Sequence, residues 1–162
     1  MLLTLAHIGP KPPKSGNKAH FDALTRLYLD RISAWHPTET QIFPTEVALV
    51  DWLTRPAKAS RTAIVPVLLD RTGRALSSTE FASWFVTRRD QGAQHLVFAI
   101  GPADGWSPSV LDQIQNHLRA HSGLLLSFGP ITMAHDLARL VLAEQLYRAC
   151  TILAGHPYHT GH

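Results

Sequence analysis

Along the chain, short apolar runs alternate with longer segments of helical periodicity. Leu2 to Ile8 is a strand-like run stopped by Gly9-Pro10, and Lys11 to Asn17 reads as a loop. From Lys18 to Ala34, Phe21, Leu24, Leu27, Tyr28 and Ile32 recur at helical spacing, with Asp22, Arg26, Asp30 and Arg31 between them. Trp35-His-Pro37 ends this helix. Thr40 to Phe43 predicts a short strand, and Pro44-Thr45 opens a short helix to Leu53. Ala63 to Leu69 is almost wholly apolar, as in a strand buried on both faces of a parallel sheet, with Pro66 calling for an early position or a bulge.

Asp70-Arg-Thr-Gly73 predicts a turn, and Ser77-Ser-Thr-Glu80 is a capping box opening a helix to Arg88. His95 to Ile100 is a further buried strand, followed by the loop Gly101 to Gly105. Ser107-Pro108 supplies an N-cap and first-turn proline for a helix to His121, and Gly123 to Phe128 is the last strand. The helix His135 to Leu153 is apolar nearly all round, which predicts burial on one side by the sheet and on another by a second subunit.

This alternation predicts one α/β domain over residues 1–162, with a mainly parallel sheet flanked by helices. Ligands of such sheets bind beyond the carboxyl ends of the strands. The loops after Leu69, Gly101 and Phe128 are therefore the candidate site. Gly101 to Gly105 is not a G-x-G-x-x-G fingerprint, so a dinucleotide is disfavoured.

Composition changes this picture little. The 162 residues are 45% hydrophobic and 17% charged, as in an ordinary globular protein. The apolar opening is too short to span a membrane and lacks the features of a secretory signal, so a cytoplasmic protein is expected. The formal charge is +3, and arginine supplies most of the cations, which hints at a polyanionic partner. Lys11, Lys14, Lys18, Arg71, Arg74, Arg88 and Arg89 are either ordinary solvated surface or part of such a patch. The single cysteine, Cys150, reads as a small core residue.

Three separated motifs carry a resemblance. Ser127-Phe-Gly-Pro-Ile-Thr-Met-Ala-His135, Leu146-Tyr-Arg-Ala149 and His156-Pro-Tyr-His159 stand in the order found in bacterial 23S rRNA pseudouridine-N3 methyltransferases of the RlmH type, within the SPOUT superfamily. The chain is similar to that family over residues 63–159, with Leu2 to Gly9 also fitting, whereas 36–62 do not match. The resemblance implies a C-terminal trefoil knot, a homodimer, and a 23S rRNA substrate on the assembled ribosome. It implies S-adenosylmethionine held by Leu69, Gly101, Phe128, Gly129, Pro130, Ile131, Thr132 and Met133, and no metal. Where the family usually has two glycines, this chain has Gly101-Pro102. A bulky residue at Gly101 is expected to abolish binding without unfolding the protein.

The resemblance implies that Tyr158 and His159 close over the site and help place the target base. On chemical grounds His159 is a candidate general base, and Tyr158 or Arg148 are candidates to steady charge on the ring oxygens. On the residues alone the tail reads as a frayed end or a histidine metal site. The latter is disfavoured because no cysteine or carboxylate accompanies the histidines and their spacing fits no common zinc pattern. Arg148 and Arg139 read as structural ion pairs with Glu144 or Asp136. A non-catalytic ribosome-binding factor of the same fold is the competing function.

Overall fold

The computed structural model describes residues 1–9, 16–55 and 63–159, apart from the side chain of His159. The loop read at 11–17, with Lys11 and Lys14, lies almost wholly outside the described residues. Five strands, β1 (Leu2–Ile8), β2 (Thr38–Phe43), β3 (Ile64–Ala75), β4 (His95–Ile100) and β5 (Leu124–Ser127), alternate with α1 (Asn17–Ile32), α2 (Glu46–Thr54), α3 (Ser78–Asp90), α4 (Pro108–Ala120) and α5 (His135–Leu153). A 3-10 turn, Pro157–His159, follows α5. All strand pairs are parallel, in the order β2-β1-β4-β3-β5.

Each sheet face carries its own core. Leu3, Leu5, Val67, Leu96, Phe98 and Leu126 pack against α1, α3 and α5 through Ile32, Phe85, Leu142 and Leu146. On the other face Ala6, Leu68, Val97 and Ala99 meet Leu49 and Leu53 of α2 and Ile114 of α4. Both faces of β4 are thus dry, which explains its unbroken apolar sequence.

Pro66 sits inside β3, opposite Val97 of β4. Its carbonyl faces Gly123, and pairing to β5 begins only at Val67 with Leu124. The missing N–H therefore points to the side where no ladder partner exists yet, and the proline removes no bond to β4.

Several expectations are corrected. Asp70 to Gly73 does not end the strand: β3 shifts register there and pairs again with β5 through Arg74 and Ala75. In α1 the buried positions are Thr25, Leu29 and Ile32, whereas Leu24 and Leu27 are 45% and 43% exposed. The all-round burial of α5 is met within the chain, because α1 and α3 flank it as well as the sheet. Leu137 and Leu153 remain its exposed apolar positions. The capping box of Ser77 and Glu80 forms as expected, while Ser107 takes the cap position of α4 without a side-chain capping bond.

Cys150 is buried in α5, and burial pushes its thiol up to about 12, so it stays protonated and serves as core.

Candidate active site

Strands β3, β4 and β5 end together, and the loops that leave them enclose a cleft of about 380 Å³. Leu69, Gly101, Phe128, Gly129, Ile131, Thr132 and Met133 all line it. Pro130 alone of the expected cofactor residues is not among the lining side chains. The walls are apolar where Ile100, Leu111 and Phe128 stand, and polar where loop backbone, Asp70, Thr72 and His135 face inward.

Local chemistry fixes each loop. Asp70 accepts a hydrogen bond from the Thr72 amide at 2.8 Å, an Asx-type turn that shapes the first one. The Ser127 hydroxyl reaches the carbonyls of Arg71 and Gly129, each at 3.2 Å, and accepts from the Gly129 amide at 3.0 Å. One side chain thereby stitches the first loop to the third. Gly129 has φ +100°, a conformation open chiefly to glycine.

The middle loop shows how Pro102 is accommodated. Gly105 N–H donates to the Pro102 carbonyl at 3.0 Å, closing a turn in which Pro102 contributes only its acceptor. Trp106 then folds back: its Nε1 donates to the Leu69 carbonyl at 2.9 Å, and its ring lies against Gly101. A Cβ at Gly101 would come within 2.8 Å of two indole carbons. Trp106 is only 7% exposed and belongs to the core beneath α2 and α4. This corrects the expectation for Gly101: a bulky residue displaces a core tryptophan, so stability and the cleft suffer together. Gly101→Val is expected to destabilise by about 1–3 kcal/mol and to shift the tryptophan emission, as read by denaturant unfolding followed by fluorescence. An unchanged midpoint and spectrum would refute the clamp.

At the far end of α5 a second cluster forms around Glu144. Its Oε1 accepts from Arg148 at 2.6 and 3.1 Å and from the Tyr158 hydroxyl at 3.1 Å. The Arg148 guanidinium lies 5.1 Å from the Tyr158 ring centre, and the Tyr147 ring meets Tyr158 edge-on at 4.8 Å. Tyr28 of α1 brings its hydroxyl to 3.5 Å from that of Tyr158. Burial, the Tyr28 hydroxyl and the Glu144 charge all push the Tyr158 phenol up from its ordinary value. The ion-pair reading of Arg148 is thus realised, and the same contacts tie it to Tyr158.

Glu144, named above only as an ion-pair partner, and Tyr28 are members of this cluster whose place beside Tyr158 the motifs did not give. The spacing of four between Glu144 and Arg148 was the available signal for the first. Arg139 pairs with Asp136 at 3.4 Å, as expected, and also with Asp22 of α1 at 3.1 Å.

The structure does not bring the two clusters together in one chain. His135 lines the cleft and Arg148 stands thirteen positions further along α5, a rise of about 20 Å. No described helix is long and apolar enough to cross a membrane.

Comparison with known proteins identifies the family. The family model described as "Predicted SPOUT methyltransferase" matches residues 14–159. A protein of Koribacter versatilis named ribosomal RNA large subunit methyltransferase H is 46% identical over 86% of this chain and 88% of its own length. A protein of the same name from Brucella ovis is 47% identical over 57% of this chain, and the matched stretch is half of that relative's length. Among solved structures, a ribosomal RNA small subunit methyltransferase E from Neisseria gonorrhoeae, bound to S-adenosyl methionine, superposes with a TM-score of 0.51. That match covers 93% of this chain and 65% of the other at 14% identity, a likeness of fold alone. By the family match and the Koribacter relative, the chain belongs to the SPOUT methyltransferases.

Proposed function

We propose that this protein is an S-adenosylmethionine-dependent methyltransferase that methylates N3 of a pseudouridine in large-subunit ribosomal RNA on the assembled ribosome, and that it acts as a cytoplasmic homodimer. The observation that carries the reading is the cleft itself, formed where β3, β4 and β5 end and lined by Leu69, Gly101 and Phe128. Its size and mixture suit the cofactor: apolar walls for an adenine, backbone groups along 101–105 and 128–133, and the polar side chains of Asp70 and Thr72. Pro130 would contribute through its backbone. Bound there, S-adenosylmethionine supplies a methyl carbon already activated by the sulfonium charge.

The chain's own task is to hold the base and move its N3 proton. Tyr158 keeps its proton, since its phenol is pushed up by burial, so it serves as a donor and not as a base, its hydroxyl turning from Glu144 to a ring oxygen when the base binds. Arg148, oriented by Glu144, adds positive charge where negative charge grows on the ring. His159 follows directly in the tail and takes the N3 proton. Tyr28 and Tyr158 offer partly exposed aromatic rings beside these donors, with the buried Tyr147 ring behind them.

Because tail and cleft lie at opposite ends of α5, each site needs the tail of one subunit over the cleft of the other. The exposed Leu24, Leu27 and Leu137 supply an apolar surface for that contact. The family's trefoil knot is part of the same reading.

Three measurements test the proposal. Calorimetry should show S-adenosylmethionine binding to the purified protein, and light scattering should give twice the chain mass. Mass spectrometry of ribosomal RNA should find the methylated pseudouridine only in cells that contain the protein. Binding without any methylated nucleoside would leave a ribosome-binding factor instead of an enzyme.

A further inference from the structure

A second groove, of about 570 Å³, opens beside β5, between the C-terminal halves of α3 and α4. Arg74 of β3, Arg88 of α3 and Arg119 of α4 converge on it with Gln115, and none of the described residues lining it is acidic. These arginines form no ion pair with any described carboxylate. Glu80, which feels the charge of Arg74, is occupied by the Ser77 capping box. Arg88 is held in place: its guanidinium lies 5.6 Å from the Trp84 ring centre, and Trp84 stacks in turn on Phe81. The Arg88 Nε is shielded from water and has no hydrogen-bond partner. A half-buried guanidinium fixed on an aromatic ring and free of carboxylate partners suits a phosphate oxygen.

One residue links this groove to the cleft. Thr72 lines both, so the arginines begin where the first loop of the active site ends. Charge on helix C-termini accounts for Arg88 and Arg119 singly, but not for their convergence with Arg74 on an acid-free groove. We propose that this groove binds the phosphate backbone of the substrate RNA strand flanking the target base, with Arg74, Arg88 and Arg119 as phosphate contacts. The inference rests on the methyltransferase reading for the identity of the strand. Contacts of this kind position the RNA and carry no sequence information.

The test is direct binding, by fluorescence anisotropy, of a short labelled oligouridylate and of bacterial large ribosomal subunits, across a salt series. Neutralising a single-strand phosphate contact changes the logarithmic salt slope by about 0.7, or roughly fivefold in affinity near 0.1 M salt. Arg88→Ala with Arg119→Ala should therefore weaken both complexes by about 25-fold and flatten the slope by about 1.4, while leaving S-adenosylmethionine affinity unchanged. Gln115→Glu, at an exposed helix position that does not threaten the fold, should weaken them several-fold. Wild-type affinity and salt slope in both variants would overturn the proposal. So would loss of subunit binding with oligouridylate binding intact, which would give the groove to a ribosomal protein. Because no arm requires methyl transfer, an inactive parent protein would refute the enzymatic reading and leave the groove tested.

Discussion

A Tyr158→Phe protein is expected to bind S-adenosylmethionine within a few-fold of the parent and to transfer the methyl group about 100-fold more slowly or worse. The substitution keeps the ring that packs on Tyr147 and removes only the hydroxyl that donates to Glu144. Loss of one positioned donor to a developing anion is ordinarily worth two to three orders of magnitude in rate. Cofactor affinity should be spared, because the proposed role of Tyr158 is toward the ring oxygens of the target base and not toward the cofactor.

Arg148→Ala should lose activity similarly, with some stability lost as well, since Glu144 is left with a partly shielded charge and fewer donors. Deleting the residues after Gly155 removes the tail and leaves α5 whole. Single-turnover assays on ribosomes with saturating cofactor would compare these proteins. A truncated protein that works at the parental rate would show that the tail has no catalytic part.

The second large effect is on stability in acid. His7, at the carboxyl end of β1, is 2% exposed, and its Nε2 has no hydrogen-bond partner. Burial, with the nearby Arg139 charge behind it, lowers its pKa from 6.5 to about 4. The unfolded chain thus takes up a proton near pH 6.5, while the folded chain resists until about pH 4. Between those values the unfolded state binds more protons, so stability falls as pH falls; above them it is unaffected.

Once both states are protonated the loss amounts to about 3 kcal/mol, and about 2 kcal/mol is gone by pH 5. Burial also lowers the pKa of His36, His117 and His135, which act in the same direction. Denaturant unfolding at pH 7 and pH 5 reads the effect. His7→Leu should be close to the parent at pH 7, having no polar atom to bury, and should lose about 2 kcal/mol less on going to pH 5. Identical pH dependence in the two proteins would acquit His7.

Much of the fold was legible because the helix and strand periods are clean. The runs at 2–8, 63–69 and 95–100 are buried on both faces over most of their length, and their mostly apolar character says so, although Thr4 and His7 interrupt the first. Less clear was which side of a helix faces inward. In α1, Leu24 and Leu27 looked like core and are exposed, while Thr25 is buried, its hydroxyl satisfied by the Phe21 carbonyl at 2.8 Å. A side-chain-to-backbone bond of that kind hides a polar residue from any hydrophobic pattern.

The site was legible as loops and not as distances. Strand ends select Leu69, Gly101 and Phe128, but nothing in the order of residues tells that Trp106 will fold back onto Gly101. Nor does it tell that Asp22 will reach across from α1 to Arg139, a contact between positions 117 apart. The groove beside β5 was legible only as the candidate cations Arg74 and Arg88, without Arg119. Its arginines come from three elements, and only folding places them together.

Helix α5 also behaves as a ruler. It joins the cleft at His135 to the tail cluster at Arg148 and Glu144 without a proline or glycine between them. Adding or deleting one residue there would move the tail by about 1.5 Å and rotate it by about 100° around the axis. Arg148 would leave the side that carries Tyr158, and Leu142 and Leu146 would leave the core. This segment should tolerate exchanges of side chain far better than any change of length, and insertions that enlarge the protein belong in the loops at the other end of the sheet.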